Sequence, residues 1–61
     1  MEKEYKVICK EGYDFNEVHL AFENEIKKHL AQGWKLEGGV NTFSEPLTQY
    51  CFFTQPISKK V

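Results

Sequence analysis

Four side chains of this 61-residue chain, Cys9, His19, His29 and Cys51, make up the ligand set of a Cys2His2 zinc site. Their spacing works against it. There is no Cys-x-x-Cys pair, and two histidines ten positions apart stand about 80° apart around a helix. Both cysteines lie inside apolar runs, which reads as buried, reduced thiols rather than a disulfide of an oxidising compartment. His29 falls near the middle of an apolar helical stripe, where the expected role is packing against a sheet with one ring nitrogen bonded. A general acid or base would need a positioned partner. His19, at the edge of that stripe, is expected in solvent. Paired carboxylates, Gly-x-Ser-x-Gly, a phosphate loop and the Cys–His spacing of a nucleophile are all missing. The expectation is a protein that is not an enzyme and uses no cofactor or metal.

Charge narrows the partners. Eight basic residues face nine acidic ones, a formal charge of −1, and the basic residues are scattered. This argues against nucleic acid, for which the one favourable arrangement would set Lys3, Lys6 and Lys10 on a single sheet face beside aromatics. No stretch approaches the ~20 apolar residues of a membrane span, and Met1-Glu2-Lys3-Glu4 lacks the apolar core of a signal peptide. A soluble, cytoplasmic protein with no membrane association is expected.

The elements that would position these residues follow from periodicity. Glu4–Lys10 alternates as a strand, with Tyr5, Val7 and Cys9 on the face expected to be buried and Lys6 and Lys10 on the polar one. Gly12 turns the chain, and Asp14 with Glu17 three residues on is a helix start of the capping-box kind. Val18, Phe22, Ile26 and Leu30 then form one stripe along a helix over Phe15–Gln32, ended by Gly33. Leu20 points the opposite way. A second strand is read over Trp34–Phe43, a turn at Ser44-Glu45-Pro46, and a third strand over Leu47–Gln55, stopped by Pro56. Residues from about 57 onward are expected to fray. The fold class is α+β: a single two-layer β-α-β-β domain over 1–61, with a three-stranded antiparallel sheet in the order 1-3-2 packed on one helix.

Such a domain is barely stable by itself. Burial of roughly 6,300 Å², about 60% of it apolar, yields about 95 kcal/mol at ~25 cal/mol per Å², while ordering 61 residues costs about 90 kcal/mol. The third strand is apolar on both faces, with Tyr50 and Phe52 one way and Cys51 and Phe53 the other. One helix covers only one side. Something must cover the second face, and a homo-oligomer, most simply a dimer, is expected. A larger protein partner would fit the same pattern.

Five residues stand out as ligand or interface candidates. Gly38 and Gly39, in mid-strand, imply a bulge, space for a ring such as Trp34 or Tyr50, or bare backbone that a ligand approaches. Trp34 is expected to close the core where helix meets sheet, or to anchor an interface. Tyr50 and Phe53 divide between the two sheet faces. The main expectation is a non-catalytic interaction or accessory protein. The alternative is a small-ligand binder whose pocket, at a subunit interface, is made by Trp34, Tyr50, Phe53 and the Gly38-Gly39 backbone.

The run Ala31-Gln32-Gly33-Trp34-Lys35-Leu36-Glu37-Gly38-Gly39-Val40, after an amphipathic helix and before a tyrosine-bearing last strand, resembles a family of short bacterial and phage proteins. Its members form a domain of unknown function with a strand, a helix, a Gly-Trp-x-x-x-Gly-Gly-aliphatic strand and a closing strand. A second uncharacterised family, with a Gly-Trp-Glu-Leu core, looks like a more distant relative. The likeness covers about Tyr5 to Gln55. It departs in the closing strand, which here reads Tyr-Cys-Phe-Phe-Thr-Gln where the family favours a Gln-Ala-Met-like stretch. The resemblance implies a fold and a bacterial or phage source, and no activity.

Overall fold

The computed structural model describes residues 2–61. Asp14 opens the helix: its carboxylate accepts from the Glu17 backbone N–H at 3.1 Å, satisfying one of the four donors that a helix start leaves free. Helix α1 runs over Phe15–Ala31, and Gly33, at φ +94°, turns the chain out of it. The buried side chains of α1 are Val18, Phe22 and His29, with Ile26 packed beside them. Leu30, expected in the stripe, is exposed. A four-residue repeat drifts about 40° per step around a helix, so by Leu30 the stripe has rotated off the sheet and His29 has taken the central line.

Four strands surround this helix in sequence: β1 (Lys3–Gly12), then β2 (Lys35–Leu36), β3 (Asn41–Ser44) and β4 (Cys51–Lys60). All pairings are antiparallel; β4 lies between β1 and β2, and β3 also pairs with β4. The fold is α+β, one helix on a four-stranded antiparallel sheet, and the three-stranded 1-3-2 layout is corrected accordingly. The expected second strand breaks at residues 37–40 into β2 and β3. Gly38 adopts φ +74°, which a strand does not tolerate and which favours glycine.

The last strand is displaced from its expected span. Leu47–Tyr50 belongs to a loop instead, held by the Glu45 carboxylate, which accepts from the Leu47 and Thr48 N–H groups at 3.1 and 3.0 Å. The strand then runs through Pro56 to Lys60, so the expected fray from 57 is strand, with Ile57 and Ser58 buried. Proline survives there because of the break. In a ladder a residue's N and O point to the same edge. Pro56 O accepts from Glu37 N at 2.9 Å, so the Pro56 nitrogen faces the place where 37–40 leave the sheet.

The core is Ile8, Val18, Phe22, Cys51, Phe53 and Ile57, with Trp34 and Ile26 at its border. It is small, and the molecule is long: 46 × 17 × 13 Å, with a radius of gyration of 12.9 Å. A globule of this length would have about 10.5 Å. Its surface of 4556 Å² likewise exceeds the roughly 4,100 Å² expected for a closed monomer of this mass.

Candidate interface on the open sheet face

Residues directly opposite in an antiparallel ladder point to the same face, so the register sorts every strand residue. Against the helix lie Lys6, Ile8, Lys10 and Gly12 of β1 with Ile57, Gln55, Phe53 and Cys51 of β4. On the other face, which none of the described elements covers, five rows cross the sheet. The first holds Lys3 and Lys60, the second Tyr5, Ser58 and Lys35, and the third Val7 and Pro56. The fourth holds Cys9, Thr54 and Asn41, and the fifth Glu11, Phe52 and Phe43.

This arrangement inverts the expected faces of β1. Tyr5 and Val7 are 72% and 59% exposed and Cys9 is exposed, whereas Ile8, expected on the polar side, is 4% exposed. The lysines next to Ile8 run their stems past the core and hold their ammoniums at its margin, Lys6 exposed and Lys10 half-buried. Lys6 Nζ donates to His29 Nε2 at 3.2 Å, and Lys10 Nζ lies 3.8 Å from Glu25. His29 donates from Nδ1 to the Glu25 carbonyl at 2.8 Å, which leaves the Nε2 lone pair for Lys6. The expected packed histidine is therefore present, with both nitrogens engaged. Lys3, Lys6 and Lys10 do not share a face, so the one arrangement that favoured nucleic acid is not formed.

Aromatic rings crowd one end of the open face. Phe43 and Phe52 stack with centroids 5.8 Å apart, and Tyr50 lies 6.4 Å from Phe52 and 5.6 Å from Tyr13. Tyr50 donates its phenol hydrogen to Glu11 Oε2 at 2.7 Å. That bond exists only in the neutral phenol, and together with desolvation and the nearby carboxylate charge it pushes the Tyr50 pKa up to about 12. At the same end Glu45 is held below its usual range by the N–H of Leu47, then by Thr48. At the opposite end Glu37 accepts from the Ser58 hydroxyl and lies 3.9 Å from Lys3.

The five candidates picked out by sequence are dispersed. Phe53 is in the core, among Phe15, His19 and Phe22. Trp34 closes the other end of the helix–sheet seam, edge-on to His29 and flanked by the Lys6 and Lys59 ammoniums at 5.8 Å each. Tyr50 lies on the open face. Gly38 and Gly39 sit in the break, where an added Cβ would meet no atom within 4 Å, so neither makes room for a ring. Gly38 contributes its carbonyl, which accepts from Gln55 Nε2 at 3.2 Å. Two surface clefts of about 420 and 300 Å³ are lined by none of the five. Cys9 and Cys51 are free and on opposite sheet faces, so only Cys51 is a buried thiol. Among the described residues no group of three or more His, Cys, Asp and Glu side chains is placed to hold a metal ion, and no helix is long and apolar enough to cross a membrane.

The residues missed by sequence reasoning are Val7, Phe43 and Pro56. The alternation of β1 was a usable signal for Val7, but it says only that one face is apolar, not which neighbour covers it. Comparison with family models, with curated proteins and with solved structures found no match.

Proposed function

We propose that this protein is a non-catalytic interaction module whose working form is a homo-oligomer, assembled through the open sheet face. One observation carries the reading: β1 turns its apolar set, Tyr5, Val7 and Cys9, away from α1 and gives the helix side Lys6 and Lys10, which stay partly in solvent while they reach His29 and Glu25. A chain folding alone gains more by the reverse placement, since each buried apolar side chain is worth about 1.5–3 kcal/mol. The placement makes sense once a second copy lies on that face. The elongated shape and small core support the same reading.

The two ten-residue strands and the six residues of β2 and β3, at ~3.4 Å per residue and ~4.8 Å per strand, give a footprint of about 420 Å² per copy. Two such footprints make about 840 Å², and the relief of side chains standing on the sheet adds to this toward the ~1,000 Å² expected of a biological interface. The resemblance to short bacterial and phage proteins, and a cytoplasmic setting in keeping with two free cysteines, belong to the same proposal.

Light scattering and native mass spectrometry test it. The expected species is a dimer of about 14 kDa, twice the 7.2 kDa chain, or a multiple of that dimer. A monomer at every concentration up to the millimolar range would refute it.

A further inference from the structure

The charge pattern of the open face fixes how two copies would meet. Its first rows carry Lys3, Lys60 and Lys35, with Glu37 offsetting one of the three, and its fifth row carries Glu11. The rows between hold no charge on β1 or β4. A sheet face can oppose itself about a two-fold axis lying along the strands or across them. An axis along the strands at the central β4 keeps the rows in order and exchanges β1 with β2 and β3, so the basic end meets the basic end, Lys60 on Lys60, while Glu11 meets Phe43 and no lysine; like charges brought together oppose association. An axis across the strands inverts the order of the rows.

We propose that the partner on this face is a second copy related by a two-fold axis across the strands at Val7 and Pro56. This rests on the self-association argued above and adds its geometry. β1 of one copy lies over β1 of the other, running the opposite way within the ~30° offset that twisted sheets impose. Lys3 of each copy faces Glu11 of its partner. The ring of Tyr5 falls over the small Cys9, and Lys60 lays its aliphatic stem over Phe52, where an ammonium also meets an aromatic face. Val7 and Pro56, both uncharged, meet their own copies at the axis. Every row is matched by size or by charge, as an isologous interface requires.

The test uses Lys3→Glu, Glu11→Lys and the double variant. In the proposed geometry each single variant sets like charges together twice, and its self-association weakens on the order of tenfold. Mixed in equal amounts, with one of them ¹⁵N-labelled, the two single variants form heterodimers in preference to either homodimer in native mass spectra. The double variant, with both charges exchanged, dimerises like the parent, which also shows that loss of the Tyr50–Glu11 bond does not unfold the chain. Single variants that dimerise like the parent and mix in binomial proportions would overturn the axis while leaving self-association standing. A parent chain that stays monomeric would overturn both.

Discussion

Gln55 Nε2 donates to the Gly38 carbonyl at 3.2 Å and to the Pro56 carbonyl at 2.8 Å, so a side chain spans the gap where the β2–β3 edge leaves the ladder. Gln55 is itself almost fully buried, opposite Ile8. It explains how a proline and a broken edge coexist with a ten-residue strand. Replacement by leucine keeps the volume and removes both bonds, and Gln55→Leu is expected to lose about 1–3 kcal/mol. Urea melts read this as a lower midpoint at constant slope. An unchanged midpoint would mean that the break is held by something else.

Glycines separate by geometry. A Cβ on Gly12 would lie 2.8 Å from Val18 Cγ2, and valine, stiff at χ1, cannot swing aside. Gly12→Ala is therefore expected to destabilise by about 1–3 kcal/mol, whereas Gly39→Ala, facing open space, changes stability by less than about 0.5 kcal/mol. Parallel thermal melts of the two variants make the comparison. Equal effects would contradict the close approach of helix and β1.

The Tyr50 phenol provides a pH signature. Its folded pKa is raised from 10.0 to about 12, so the bond to Glu11 contributes stability that is complete below about pH 10 and lost as pH rises through 12. Ultraviolet titration in a background with Tyr5 and Tyr13 changed to Phe isolates this one group. Glu11→Ala should return the transition toward 10. A transition already near 10 in the parent would show that the bond does not form.

Val7 is exposed in the single chain, and so Val7→Asp is expected to leave the thermal stability of a monomer within about 0.5 kcal/mol of the parent monomer. In the proposed dimer the same change would bury two carboxylates against each other, and it is expected to abolish self-association. Sedimentation equilibrium separates the two effects. Retained association would place the contact elsewhere.

Much of this architecture is legible along the chain, and what is not has identifiable causes. The helix declares itself through Asp14, the Val18–Phe22–Ile26 spacing and Gly33, all local signals. The faces of β1 do not. Alternation separates Tyr5, Val7 and Cys9 from Lys6, Ile8 and Lys10, but only tertiary partners, Glu25 and His29, draw the lysines to the helix side. Pro56 reads as a strand end because its missing donor matters only if an acceptor awaits it, and the break at 37–40 removes that need. Leu47 reads as strand from its apolar side chain, yet the Glu45 carboxylate folds that segment into a loop. The interface candidates Trp34 and Phe53 are apolar because they serve the helix–sheet seam, which composition cannot tell from an outer surface.

The most direct test of a covered sheet face is the reactivity of its own thiol. Cys9 lies on that face and Cys51, fully buried beneath the helix, serves as an internal reference. With a chromogenic thiol reagent, the account predicts that Cys9 reacts slowly at concentrations where the dimer forms and rapidly on dilution or in Val7→Asp, while Cys51 stays slow throughout. A Cys9 that reacts at the rate of a free thiol at every concentration would contradict it.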